Sequence, residues 1–244
     1  MNRFLAITSA IAIAALAAGV AVPPVAPAPA TSPAPAPAPT PPAAPPGVVA
    51  PPSTSEPATP TARVPTAKER AKEIKEITGT IEIPAGTISF KLEPNKCPLL
   101  CANFCNLVRK GFFDGREWRS FSRVIRQCGT DYVWYTLPRE FDASLFFDRG
   151  GRLAMSKDRD ESAGARTNAT RFFITIKGQE RWNLDYPAFG NVTAGLPLVV
   201  DVKEGDKITK ITVAGDVDNL LATFAPEIKD WDKEFEAAKR RGLK

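Results

Sequence analysis

Between Val22 and Pro65 the chain is built almost wholly of Pro, Ala, Thr, Ser and Val, and 17 of its 24 prolines fall there. No aromatic residue occurs in that stretch. Such a segment cannot bury enough apolar surface to offset the entropy of ordering its backbone. It is predicted to be an extended tether of polyproline II character, with a reach of ~140 Å at roughly 3.1 Å per residue. Either it spaces a folded domain away from a surface, or it is a leader with no specific role. In both cases whatever folds must lie outside it.

The tether divides the 244 residues into a short N-terminal part and about 180 C-terminal residues, one domain's worth. Met1-Asn2-Arg3 is positive, Phe4 to Val22 is apolar apart from Thr8, Ser9 and Gly19, and Gly19-Val20-Ala21 supplies small residues for cleavage. That order reads as a secretory signal over residues 1–21, followed by a 22–65 linker. An uncleaved anchor is the rival reading, because the apolar run is nearly long enough to span a bilayer. The expected destination is the periplasm or the exterior, or, if anchored, the periplasmic face of the membrane.

The net charge is +5, with a pI near 9.1. The two signs alternate along the domain, which suits a solvated surface rather than a nucleic-acid stripe. The chain contains no histidine. That excludes histidine-based triads, general bases and metal ligands together. No phosphate-cradling glycine motif occurs either. The chemistry must therefore proceed without a proton shuttle near neutral pH.

Cys97, Cys101 and Cys105 recur every four residues and so share one helix face. Cys97 and Cys105 would be about 12 Å apart along the helix. Three thiolates so placed cannot converge on one tetrahedral zinc with bonds near ~2.3 Å. They read as small buried side chains, with no metal expected. A disulfide from Cys128 to one of the three stays open in an oxidising compartment.

Thr66 to Ile77 is charged and predicts a short exposed helix. Thr80 to Ile83 and Thr87 to Leu92 alternate in polarity about Pro84-Ala85-Gly86, which predicts a hairpin. Pro98 opens a helix to about Arg109, with Leu100, Phe104, Leu107 and Val108 on its apolar side and Gly111 as its stop. Phe121 to Ile125, Arg152 to Met155, Arg171 to Ile176, Ala188 to Val192 and Ile208 to Val213 read as further strands. Many short strands with few helices suggest a barrel or sandwich. Residues 216–244 read as a helical tail whose Ile228, Trp231 and Phe235 dock on that barrel, the minority alternative being a partner-binding helix.

In order and spacing, residues 79–213 resemble the cyclophilins. Gly79-Thr80-Ile81-Glu82-Ile83 is similar to their first strand, and Cys97 to Leu107 to their first helix, with its Ala-Asn-Phe-x-x-Leu core. Gly111-Phe112-Phe113-Asp114-Gly115 matches the following turn. Phe121-Ser122-Arg123-Val124-Ile125 resembles Phe-His-Arg-Val-Ile, and Gly151-Arg152-Leu153-Ala154-Met155 the Gly-x-Leu-x-Met strand. Thr170-Arg171-Phe172-Phe173-Ile174 resembles Ser-Gln-Phe-Phe-Ile, and Leu184-Asp185 with Phe189-Gly190-Asn191-Val192 the next pair. The resemblance implies a mainly β fold over residues 66–215: a closed eight-stranded antiparallel barrel capped by two helices, with the tail added. It also implies a divergent, bacterial-like exported peptidyl-prolyl cis-trans isomerase, monomeric and free of cofactors, acting on proline-containing segments of unfolded or exported proteins. Asn168-Ala169-Thr170 and Asn191-Val192-Thr193 fit a glycosylation pattern but fall on motif strands and read as chance matches.

Prolyl isomerisation suits a chain without histidine. Rotation about an X-Pro bond crosses a barrier near ~20 kcal/mol, and a catalyst need only stabilise the twisted imide, whose nitrogen lone pair is localised. A rate gain of ~10⁵ needs about 7 kcal/mol of selective stabilisation. An arginine fork is a rigid, always-charged donor for that nitrogen. By resemblance Arg123 takes this role. Phe173 and Leu184 wall the proline ring, Phe172 points into the core, and Gln127 binds substrate backbone. Several positions depart from the family pattern. Ser122 replaces a histidine, Arg171 a glutamine, and Ser156-Lys157 an Ala-Asn pair, so Ser156 and Arg171 are expected at altered subsites. The stretch between Ile125 and Cys128 is short, Tyr186-Pro187 stands near a usual histidine, and Trp182 falls one residue early for the pocket tryptophan. Altered or reduced activity is expected. The rival readings are a cyclophilin-like module that binds proline segments without turnover, and an envelope-tethered adaptor.

Overall fold

The computed structural model describes residues 63–119, 122–130, 134–157 and 166–242. The leader and nearly all of the tether lie outside the described residues, as does Phe121. No helix among the described residues is long and apolar enough to cross a membrane.

Thr66 starts α1 (Ala67–Arg70) with a capping box: its hydroxyl accepts from the Glu69 N–H, and its own N–H donates to the Glu69 carboxylate at 2.7 Å. The predicted exposed helix is thus one turn long, and in the rest of that stretch only the apolar residues turn inward. Ala71, Ile74 and Ile77 are buried. Strand β1 (Ile77–Ile83) pairs with β2 (Gly86–Leu92) through the predicted hairpin, with Pro84-Ala85 as its two-residue loop. Helix α2 (Pro98–Arg109) has the predicted bounds. Gly111 follows at φ +63°, a left-handed conformation that glycine adopts without a steric penalty.

The remaining strands are β3 (Trp118–Arg119), β4 (Ile125–Gly129), β5 (Thr136–Leu137), β6 (Arg152–Lys157), β7 (Thr167–Thr175), β8 (Ala188–Ala194) and β9 (Lys210–Gly215). Helix α3 (Leu196–Asp201) lies between β8 and β9, and α4 (Val217–Thr223) and α5 (Ala225–Arg240) follow. All strand pairs are antiparallel, in the order β3-β4-β7-β6-β8-β2-β1-β9, with β5 on β7.

In place of the expected closed eight-stranded barrel, the described residues form a curled nine-stranded sheet, a half-barrel whose ladder is open between β3 and β9. Strand β9 begins only at Lys210, past the level of β3. Among the described residues the seam holds one isolated bridge, Glu117 to Lys207, and irregular backbone bonds such as Trp118 N–H to Asp206 O at 2.8 Å. The predicted strand over 121–125 is also displaced: pairing starts at Ile125. Ser122 is the cause. Its hydroxyl accepts from the Val124 and Ile125 N–H groups at 3.1 and 3.2 Å, which turns the chain before the ladder begins.

Phe104 of α2 fills the core, with ring centroids 5.3–5.9 Å from Phe90, Phe113, Phe172 and Phe189. The polar Asn103 beside it is fully buried but satisfied, donating to Ala169 O and accepting from the Tyr135 hydroxyl. All four cysteines are free and buried, and the described residues contain no cluster able to hold a metal. At the first of the two glycosylation-pattern sites, Asn168 and Thr170 are fully buried and bonded to each other, as a chance match requires; at the second, Asn191 is partly buried and Thr193 exposed.

The tail docks as predicted. Phe235 of α5 meets Phe112 and Trp134 at 5.7 and 4.9 Å, and Ile228 and Trp231 rest on the core. Arg70 of α1 lies over the Phe224 ring at 4.5 Å and pairs with Glu227, so both ends of the domain meet.

Candidate functional site

The site is a row across four adjacent strands. Arg119 on β3 faces Gln127 on β4, Gln127 faces Phe173 on β7, and Phe173 faces Ala154 on β6. Directly opposed residues of antiparallel strands project from the same face. The adjacent row, Trp118, Cys128, Phe172 and Met155, projects from the other face and is buried in the core. Phe172 therefore points inward and Phe173 away from that core, as the alternation predicts.

Phe173 is 2% exposed because other rings cover it. Trp182 and Tyr186 meet it edge-on at 5.9 and 5.5 Å, and Phe147 stacks at 6.2 Å. Trp182 and Tyr186 are themselves half-exposed, so the cluster presents aromatic surface to solvent. The predicted misplacement of Trp182 is absorbed locally. The short 3-10 turn Glu180–Trp182 brings its ring to Phe173, and the intervening Asn183 accepts the Phe147 N–H at 2.7 Å. Phe147 is pinned a second time by its carbonyl, which accepts from Gln179 N–H at 2.7 Å.

Arg152, 3% exposed, braces this arrangement from behind. Its guanidinium donates to Phe146 O, Asp148 Oδ1 and Asn191 Oδ1 at 2.8, 2.7 and 2.5 Å. The same bond holds the Asp148 carboxyl below its ordinary range. One arginine thus fixes the segment carrying Phe147 to β8.

The predicted residues are only partly brought together. Gln127 is buried beside Phe173. Arg171 lies two residues before Phe173 on the same face, opposite Gly129. A side chain at Gly129 would strike Thr170 O at 2.3 Å, so only glycine lets β4 approach there. Ser156 is buried where the β6–β7 register shifts between Met155 and Lys157. Leu184 stands apart, 63% exposed and at φ +60°. Arg123 is exposed on the bend before β4. The Val124 carbonyl accepts from Ile176 N–H, which sets Arg123 level with Lys177. It is four residues along β7 from Phe173, about 13 Å at ~3.3 Å per residue.

Charge borders the aromatic cluster. Lys157 pairs with Asp185 and sits 5.0 Å from the Tyr186 ring centroid. Arg119 lies 3.8 Å from Glu117, both side chains being about half exposed. Of these residues, Phe147, Arg119 and Arg152 carry no local pattern that singles them out in the sequence. Trp182 and Tyr186 were visible as aromatics near the motif, but not as ring neighbours of Phe173.

Residues 78–217 match the family model of the cyclophilin type peptidyl-prolyl cis-trans isomerases. Peptidyl-prolyl cis-trans isomerase B of Bacillus subtilis is 31% identical over 138 residues, which is 52% of this chain and 91% of that protein. Mouse peptidylprolyl isomerase domain and WD repeat-containing protein 1 is 29% identical over 147 residues, but the match spans only 21% of its length. A solved cyclophilin type isomerase of Cryptosporidium parvum has the same fold, with TM-score 0.51 and 22% identity over 58% of this chain and 99% of that one. With more than half its residues matched to the family model, the chain belongs to the cyclophilin-type peptidyl-prolyl cis-trans isomerase family.

Proposed function

We propose that the chain is a prolyl isomerase acting on X-Pro bonds in proline-containing segments of exported proteins. The observation that carries this reading is the aromatic surface over Phe173, bordered by Gln127 and by guanidinium groups, in a chain of this family that lacks histidine.

The chemistry required is modest. A proline ring rests on aromatic rings through dispersion and apolar burial, and a backbone amide of the substrate meets the Gln127 carboxamide. With the ring held, the group N-terminal to the bond turns about it. As the imide twists, its nitrogen gains a localised lone pair, and a charged donor aimed there lowers the barrier. No bond is broken and no proton leaves the substrate. Resemblance puts an arginine in that role, and makes Leu184, Ser156 and Arg171 contacts around the ring.

Export rests on the positive start, the apolar run Phe4 to Val22 and the small residues before the tether. The mature protein then works outside the cytoplasm, either released or held at the membrane.

The test uses the full chain as secreted by its host. Added to a protein whose slow refolding phase is limited by proline isomerisation, it should shorten a phase that takes roughly 10 to 100 s unaided. Binding of a proline peptide with an unchanged refolding phase would replace the isomerase reading with that of a binding module. N-terminal sequencing decides the export question: a start after Ala21 supports cleavage, and an intact Met1 in the membrane fraction supports the anchor.

A further inference from the structure

The geometry points to Arg119 on β3, rather than Arg123, as the guanidinium that reaches the twisted imide. This rests on the isomerase reading above and assigns its donor.

Register carries the argument. Arg119, Gln127 and Phe173 are consecutive partners across β3, β4 and β7. Opposed residues in antiparallel ladders have Cα atoms about 4.5–5.5 Å apart, so two steps place the Arg119 Cα about 10 Å from that of Phe173. Gln127 lies between them, on the same face. An arginine side chain extended across Gln127 delivers its fork to the edge of the aromatic cluster, where the imide of a proline seated on the Trp182 and Tyr186 rings over Phe173 would lie. Arg123 starts about 13 Å farther along the strand direction and from a bend rather than a ladder. That offset is more than its side chain spans.

Local structure also favours Arg119. Its backbone is fixed by pairing with Gln127, and the preceding Trp118 is fully buried with its ring 6.0 Å from Phe172. Such an anchor fixes the point from which the donor extends, one part of what preorganised stabilisation requires. Arg171 shares the face but faces Gly129 on β4, one step beyond Gln127 and Phe173.

The experiment is cis–trans exchange of a short Ala-Pro peptide by NMR, with the full chain and its Arg119→Ala, Arg119→Lys and Arg123→Ala variants. Arg119 is exposed on a two-residue strand, so its substitution should leave the amide spectrum of the domain otherwise intact. Losing one preorganised donor should slow catalysed exchange by ~10²-fold or more in Arg119→Ala. Arg119→Lys, charged but without the fork, should fall between Arg119→Ala and the parent. Arg123→Ala should stay within about threefold of the parent, as substitution of an exposed residue away from the site should. An active Arg119→Ala beside an inactive Arg123→Ala overturns the assignment and leaves the isomerase reading standing. A parent chain that binds the peptide but does not accelerate exchange overturns both.

Discussion

Substituting Glu140 by glutamine should remove a pH-dependent component of stability. Helix α2 is preceded by Cys97, which offers no side-chain cap. The missing acceptor comes from elsewhere in the chain: the Glu140 carboxylate accepts from the Leu99 and Leu100 N–H groups at 3.2 and 2.9 Å. Those bonds favour the charged form, but burial outweighs them and lifts the carboxyl from 4.5 to about 7. A carboxyl raised on folding binds its proton more tightly in the native state. Its contribution is therefore fully present below about pH 4.5 and is lost as pH rises through about 7. A displacement from 4.5 to about 7 corresponds to about 3 kcal/mol at ~1.4 kcal/mol per pH unit. Glutamine cannot ionise, so the difference between parent and variant isolates this residue from every other titrating carboxyl. Urea denaturation at intervals from pH 4 to pH 8 measures it. The parent should lose stability relative to Glu140→Gln by up to about 3 kcal/mol between pH 4.5 and pH 8. Parallel profiles, or a parent that gains on the variant as pH rises, would refute the dominance of burial over the two N–H bonds.

Three further outcomes follow from the same fold. Leu184→Gly should raise stability by roughly 0.5 kcal/mol by denaturation, since the ~1–2 kcal/mol of left-handed backbone exceeds the extra entropy glycine loses, while lowering catalysed exchange if Leu184 touches substrate. Phe235→Ala should cost ~3 kcal/mol, because its ring fills the contact between α5, Phe112 and Trp134; a shift under about 0.5 kcal/mol would mean that the tail contributes nothing to the domain. The four thiols should resist a thiol reagent in the native state and react once unfolded, because burial pushes all four up, Cys105 and Cys128 to about 12; fast native labelling would contradict their burial.

What the sequence disclosed was mostly what local patterns govern. Pro98 to Arg109 carried its own start and apolar stripe, and its bounds were recovered to the residue. The β1–β2 hairpin and the outward turn of Phe173 relied on turn chemistry and alternation, which are also local. Pairing between distant segments was not legible. Whether residues 115–118 and 205–208 form a ladder or a seam depends on where β9 begins, and no pattern in either segment states that. Strand β4 was placed four residues early because Phe121, Val124 and Ile125 are apolar and the segment matched a motif, while the hydroxyl of Ser122 turns the chain before Ile125. The same displacement moved Arg123 out of the row and brought Arg119 into it. Phe147 has no motif at all. It reaches Phe173 through a loop held by Arg152, a contact visible only in three dimensions.

The central claim is that the face around Phe173 turns X-Pro bonds, and the most direct measurement is the cis–trans exchange rate of an Ala-Pro peptide by NMR with the full chain and with Phe173→Ala. Exchange well above the uncatalysed rate in the parent, lost in a variant whose spectrum shows a folded domain, is the predicted result. Equal exchange rates for parent, variant and free peptide would contradict it.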